Sequence, residues 1–400
     1  MIVLKHLFDE EINRLGTFCT QWDYIEDRFG EKELLPFSIS DTDFKVPQEV
    51  LEALKNRIDH GIFGYTRWNH EEFKGSIKEW YRKRFSSIIN KDWIVYSPTV
   101  IYSISKLIEQ LTDQGDHIVV QTPAYDAFFK LIKDNKRVLS ENKLIYEKYK
   151  YSIDFQDLDE KLAHPRAKVF LLCSPHNPTG RVWTRDELSK IISLCKKHGV
   201  YIISDEIHMD IVQKPNGHIP IVEVAGEYLE NISICTSASK TFNTPGLGGS
   251  YAIIANKEIR EEFLITLKNK DGLSSTSTLG AIALMTAYLN CDQWVDDLNE
   301  YLKGNMEIVK EFLDTHISAA HFHIPESTYL AWIDISDLPY SDQQLQEAMI
   351  HHGKVAIMPG EMYGENGKGF LRMNVGCPSS KVIEGLQRLK KAIHYLDNKG

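Results

Sequence analysis

Several short strings carry residue types able to do chemistry, most of them just after an apolar run. In TSASKTFNTPGLGG, Ser237 and Lys240 follow a run ending at Cys235 and precede a glycine-rich loop. Such a lysine is either a strand-end side chain whose ammonium reaches back to water, or a Schiff-base lysine. The second role needs a partly desolvated site that lowers the amine pKa from about 10.4. Ser237-x-x-Lys240 also has the spacing of the penicillin-binding nucleophile motif, but the companion SDN and KTG strings are missing.

In VYIISDEIHMD, a buried-type run ends in Asp205, Glu206, His208 and Asp210, at the strand edge where α/β ligand sites gather. Carboxylates and a histidine this close could ligate a metal. No second cluster supplies the remaining ligands, however, and His321-x-His323 reads as a solvated strand face. A carboxylate fixed there is better placed to pair with a cationic heterocycle. Such a charge-assisted bond is worth about 1.5–3 kcal/mol and keeps the ring protonated, as an electron sink must be.

Four further positions gain meaning only together. CSPHNPTGRVWT leaves Asn177 as a polar side chain in a turn punctuated by Pro175, Pro178 and Gly180, although bare turns of this kind are common. Tyr125 in QTPAYDAF has a flat face for stacking, or is an ordinary core tyrosine. YSPTVIYSISKLI feeds a helix whose first amides, at Val100 and Ile101, suit a phosphate. Arg372 in GFLRMNVG is either a surface ion-pair partner or a clamp for a carboxylate. Nucleotide readings fall away, because GLGG lacks the GxGxxG spacing and GxxxxGK[ST] does not occur.

The elements that must hold these groups are short, nearly continuous apolar runs: HIVVQ from His117, KVFLLCS from Lys168, VYIIS from Val200, ISICT from Ile232 and YAIIA from Tyr251. Runs apolar on both faces fit buried parallel strands. Helical patterns stand between them, clearest at Leu188, Ile191, Ile192 and Cys195 behind a Thr184/Glu187 capping box. Two earlier helices are suggested by Val50, Leu54 and Ile58 and by Phe73, Ile77 and Trp80. The expected class is α/β, with a mostly parallel central sheet flanked by helices. A large domain is expected at 48–289, and a smaller α+β domain, carrying strand-like TYLAWIDI and FLRMNVG, from 1–47 and 290–400.

Composition fits a globular chain. Among 400 residues, 46 Lys+Arg against 56 Asp+Glu give a net charge of −10, and 42% are hydrophobic. The acidic balance argues against nucleic-acid binding. Six cysteines without a CxxC pair suggest a reducing, cytoplasmic compartment. The start, MIVLKHLFDEEINR, is broken by charge and does not read as a secretory segment, and AIALMTAYL at 281–289 is about half a membrane crossing.

The order of the motifs resembles the fold-type I pyridoxal-phosphate enzymes, the aspartate aminotransferase superfamily. The strings CSPHNPTGRVWTRDEL, ISDEIHMD, SASKTFN, DGLSS, STYLAWIDI and VAIMPGEMYGENGKGF are similar to the MalY/PatB group of cystathionine β-lyases. The resemblance implies pyridoxal 5′-phosphate as cofactor, with Lys240 as the Schiff-base lysine and general base. Asp205 would face the pyridine nitrogen, Asn177 the ring hydroxyl and Tyr125 the ring face, with His208 close by. Ser237, Ser239 and the Val100 and Ile101 amides would take the phosphate, and Arg372 the substrate carboxylate. Tyr65 matches a tyrosine that reaches the phosphate from a neighbouring subunit, implying a homodimer with shared, catalytically competent sites. Asp43 is expected near the substrate.

Two positions depart from the wider superfamily. Many aminotransferases carry a tyrosine where His208 stands, and many have a phosphate-binding arginine soon after the lysine, where this chain reads TFNTPGLGGS. The implied reaction is α,β-elimination on a sulfur amino acid to a thiol, pyruvate and ammonia. An aminotransferase, and a lyase that also binds a transcription activator, are the competing expectations.

Overall fold

The computed structural model describes residues 7–399; the apolar start at 1–6 lies outside the described residues. A seven-stranded sheet forms the centre, from Ile94–Ser97 (β1), His117–Thr122 (β2), Val138–Lys143 (β3), Ala167–Cys173 (β4), Tyr201–Asp205 (β5), Ile232–Ser237 (β6) and Ser250–Ile254 (β7). Their spatial order is β1-β7-β6-β5-β4-β2-β3. All the expected apolar runs became strands. One expectation needs correcting: β7 is antiparallel to both its neighbours, β6 and β1. A two-sided apolar run reports burial on both faces and carries no information about direction.

Helices flank the central sheet: Gln48–Asp59 (α1), Glu71–Phe85 (α2), Val100–Leu111 (α3), Arg185–His198 (α4) and Thr278–Asn290 (α5), while Asp292–His316 (α6) and Ser379–Asp397 (α7) pack against each other in the last third of the chain. The capping box of α4 forms, with the Glu187 amide donating to Thr184 Oγ1 at 3.2 Å and the Thr184 amide to Glu187 Oε2 at 2.8 Å. Phe73, Ile77 and Trp80 of α2 are all fully buried, worth about 1.5–3 kcal/mol each. In α1 the helical stripe is only half used: Val50 is buried but Ile58 is exposed.

A second, three-stranded sheet is antiparallel, with Phe370–Asn374 (β10) between Leu330–Asp334 (β8) and Met358–Pro359 (β9). β8 and β10 are the strand-like segments expected in the chain's last third, and β9 is an addition to them. Among the described residues no helix is long and apolar enough to cross a membrane.

Candidate active site

The parallel strands deliver the chemistry to one edge of the central sheet. Asp205 is the last residue of β5, Lys240 stands three residues beyond β6, Asn177 four beyond β4, Tyr125 three beyond β2 and Val100 three beyond β1. The reversal of β7 brings its first residue, Ser250, to the same edge. All of these line a single cavity of about 190 Å³, together with Ile101, His208, Ser237 and Ser239.

The lysine is positioned by its neighbours in the chain. Thr241 Oγ1 donates to buried Asp210 Oδ2 at 2.9 Å, and Phe242 packs fully buried against Trp80 and Trp294. With the next two residues anchored in the core, Lys240 is left turned into the cavity, where its amine donates to the Ser40 carbonyl. Burial lowers its pKa to about 8.

Asp205 is buried, and its one side-chain hydrogen bond is accepted from the Ile207 amide at 3.1 Å. Its partners across the strands are Cys173 and Cys235, both thiols pushed well up by burial and therefore neutral. Burial raises the carboxyl to about 7, an effect that the Ile207 amide and the Lys240 charge offset only in part. His208 is buried, T-shaped to the Tyr329 ring at 5.9 Å, and pushed down to about 3 by burial, so it is neutral. Its Nδ1 has no hydrogen-bond partner.

The other polar groups of that strand end have separate destinations. Glu206 accepts from Ser204, His218 and the Ile221 amide, while Asp210 accepts from Trp80 and Thr241. The cluster seen in sequence is thus dispersed in space.

At the start of α3, Thr99 Oγ1 caps the Tyr102 amide at 3.0 Å. The amides of Val100 and Ile101 find no acceptor among the described residues and lie at the cavity wall. Asn177 is held by a tight loop in which the Gly180 amide donates to the His176 carbonyl at 2.7 Å. Gly180 has φ +68°, and a Cβ there would stand 2.4 Å from Pro325, so only glycine closes this turn.

Arg372, on β10, is buried without a carboxylate partner. It donates to Asn177 Oδ1 at 3.3 Å and to the Ser38 carbonyl at 2.9 Å, its Nε is unpartnered, and its guanidinium lies 4.6 Å from the Tyr363 ring. A buried cation in this state is a ready receptor for a carboxylate.

Residues 37–44 form a strap between the lysine loop and β10. Asn374 donates from its amide to the Phe37 carbonyl, and from its side chain to those of Ile39 and Asp41 at 2.5 and 2.6 Å. Asn243, in the left-handed region at φ +54°, donates to those of Thr42 and Phe44 at 2.9 and 2.8 Å. The Ser40 carbonyl accepts from both Lys240 and Tyr329 Oη, the latter at 2.9 Å. Tyr329 follows Thr328 at φ +68°, a costly conformation for a β-branched residue and one found at constrained sites.

With this geometry in view, residues 32–389 match the model of the family "Aminotransferase class I and II". The chain is 46% identical to Protein MalY of Escherichia coli over 387 residues, covering 96% of this chain and 98% of that one. It belongs to the class I and II aminotransferase family, in the MalY/PatB group. Cystathionine beta-lyase PatB of Bacillus subtilis is 37% identical, with 96% and 99% of the two chains covered. Cystalysin of Treponema denticola, whose crystal structure contains a pyridoxal 5′-phosphate cofactor, superposes with a TM-score of 0.92 at 35% identity, over 97% of this chain and 99% of that one.

Two expected site residues of this MalY/PatB-type chain, Asp43 and Tyr65, are not among those lining its own cavity, and for Tyr65, expected to serve a neighbouring subunit, that is no departure. Asp43 is turned away from the cavity: Oδ1 accepts from Arg14 at 2.8 Å and Trp22 at 3.3 Å, and Oδ2 from Lys381 at 2.6 Å. Burial opposes its ionised form, but Lys381 and Arg14 together hold it below the usual carboxylate range. It braces the strap through these ion pairs. Tyr65 is 99% exposed and contributes nothing to its own chain's cavity. Sequence reasoning passed over Ser40, Ser250, Cys173 and Tyr329. Ser250 carried a readable signal as a polar residue opening an apolar run, whereas Ser40 acts through a main-chain carbonyl that no side chain announces.

Proposed function

We propose that this protein is a pyridoxal 5′-phosphate-dependent carbon–sulfur β-lyase of the cystathionine type. It converts a β-thio amino acid and water to a thiol, pyruvate and ammonia; L-cystathionine would give homocysteine, and cysteine would give sulfide. The observation that carries the reading is the meeting of Lys240 and buried Asp205 in one cavity, with Arg372 hydrogen-bonded to cavity-lining Asn177.

The residues present fit the cofactor. Asp205 is a buried carboxyl whose one side-chain hydrogen bond comes from the Ile207 amide and which has no ion-pair partner among the described residues; a protonated ring nitrogen would supply one. The Val100 and Ile101 amides with the hydroxyls of Ser237, Ser239 and Ser250 make a phosphate receptor, and Tyr125 offers a ring face. Bound pyridoxal phosphate supplies the electron sink that makes the substrate Cα–H acidic. Lys240 Nζ takes the Cα proton, and burial, by lowering its pKa to about 8, makes the neutral, proton-accepting amine far more accessible than in an ordinary lysine. Arg372 orients the substrate carboxylate, and Asn177, hydrogen-bonded to it, would face the cofactor's ring hydroxyl.

We further propose a homodimer in which Tyr65 reaches the partner's site. Ile58, Ile62, Phe63 and Tyr65 form an exposed apolar run on one segment, which supports coverage by a second copy. We take residues 48–289 as the cofactor-carrying domain and the two chain ends as the smaller one. All six cysteines are free thiols, which supports a cytoplasmic setting, and homocysteine release supports a role in methionine biosynthesis.

Pyruvate release from L-cystathionine by the purified enzyme, without any added keto acid, is the deciding assay. A strict requirement for a keto acid would instead make the protein an aminotransferase.

A further inference from the structure

We propose that Arg28 selects substrates whose leaving group carries its own carboxylate. This rests on the lyase reading above and deepens it. Cystathionine has a carboxylate at each end; S-methylcysteine has only the one on Cα.

Arg28 lies on the short helix Glu26–Phe29 with its side chain exposed. Its Nη1 lies 3.6 Å from Met358 Sδ, and a thioether is too weak an acceptor to satisfy a guanidinium. Among the described residues no carboxylate comes within ion-pair distance of it, so its charge is uncommitted.

Its position gives that charge a use. Met358 on β9 stands directly opposite Arg372 on β10, and directly opposed residues of an antiparallel pair share one face of the sheet. Reaching Met358, the Arg28 guanidinium therefore extends onto the face that carries Arg372. Tyr363 lies under the Arg372 guanidinium, and both Tyr363 and cavity-lining Tyr125 feel the positive charges of Arg372 and Arg28, although burial is the larger influence on each. Two guanidiniums without carboxylate partners thus flank one tyrosine-lined region. The buried one suits the invariant α-carboxylate. The solvent-side one suits a carboxylate that only some leaving groups possess.

An exposed ion pair of this kind changes binding by about fivefold. The alternative use of Arg28 is to complement the C-terminal end of its helix, which would affect every substrate alike. The test compares the cofactor-loaded wild type with Arg28→Gln and Arg28→Glu, reading pyruvate from L-cystathionine and from S-methyl-L-cysteine. Glutarate and butyrate are titrated in parallel as non-reacting competitors, read by their effect on the cofactor's absorbance. The expected result is a fall of about fivefold in kcat/KM for cystathionine with Arg28→Gln and a larger fall with Arg28→Glu. Turnover of S-methylcysteine should stay unchanged, and glutarate should lose its advantage over butyrate. An equal fall for both substrates, or no change for cystathionine, overturns the proposal. If the wild type makes pyruvate from neither substrate, the lyase reading fails, and the glutarate-to-butyrate ratio alone decides for or against Arg28.

Discussion

The amine of Lys240 and the hydroxyl of Tyr329 meet on one acceptor, the carbonyl oxygen of Ser40. Two donors on one oxygen compete for its lone-pair density, so the tyrosine weakens the hold of that carbonyl on a charged amine. Removing the hydroxyl should favour the ammonium form.

Tyr329→Phe is therefore expected to move the pH midpoint for covalent cofactor capture upward by a few tenths of a unit and to lower kcat by about fivefold, the worth of a neutral hydrogen bond. Stopped-flow absorbance of apoprotein mixed with pyridoxal phosphate across a pH series measures this. An unmoved midpoint would leave Tyr329 as packing only.

Lys240 itself sets the wild-type midpoint. Its pKa is lowered to about 8, so the reactive neutral amine is scarce below that pH and dominant above it. Capture should accelerate up to about pH 8 and then level off, instead of climbing towards 10. Lys240→Ala should show no yellow lysine-linked band at any pH and no pyruvate production.

Asp205 makes the cofactor-free protein pH-sensitive. Its carboxyl titrates at about 7 when folded and at its ordinary 3.8 when unfolded. Between those values the folded state holds a proton that the unfolded state has lost, so this residue costs stability as pH rises from 4 to 7, and the cost is constant above. A gap of about three pH units corresponds to roughly 4 kcal/mol at most. Apo Asp205→Asn should then melt higher than apo wild type at pH 8, with the gain vanishing towards pH 4. Thermal melts at the two pH values check this, and loading with cofactor should reverse the order.

Tyr65 is tested by complementation. Tyr65→Ala and Lys240→Ala homodimers should each be severely impaired. Refolded together, they form hybrids with one site built entirely from wild-type residues, and activity should recover to about a quarter of the wild-type level. No recovery would place Tyr65 outside the partner's site.

Much of this architecture was legible because α/β sites sit where buried strands stop, and the stops are marked by polar punctuation. Asp205, Lys240 and Asn177 could each be read from the residue just past an apolar run. Strand direction was not legible, as β7 shows, and neither were β1 and β3. The first is four residues long, and the second is half-exposed at the sheet edge. The ion pairs of Asp43 with Arg14 and Lys381 were not legible, since these partners lie 29 and 338 positions away, distances at which local sequence says nothing. Tyr65 was visible only through family resemblance, because its surroundings within one chain are solvent.

The strap at residues 37–44 also bears on biosynthesis. It leaves the ribosome early, yet its carbonyls wait for Asn243 and Asn374, some 201 and 335 positions later. Contacts of such span form late. The nascent polypeptide thus reaches its final turns of synthesis with the reaction centre still open on one side, and vitamin capture in its finished geometry becomes a post-translational event.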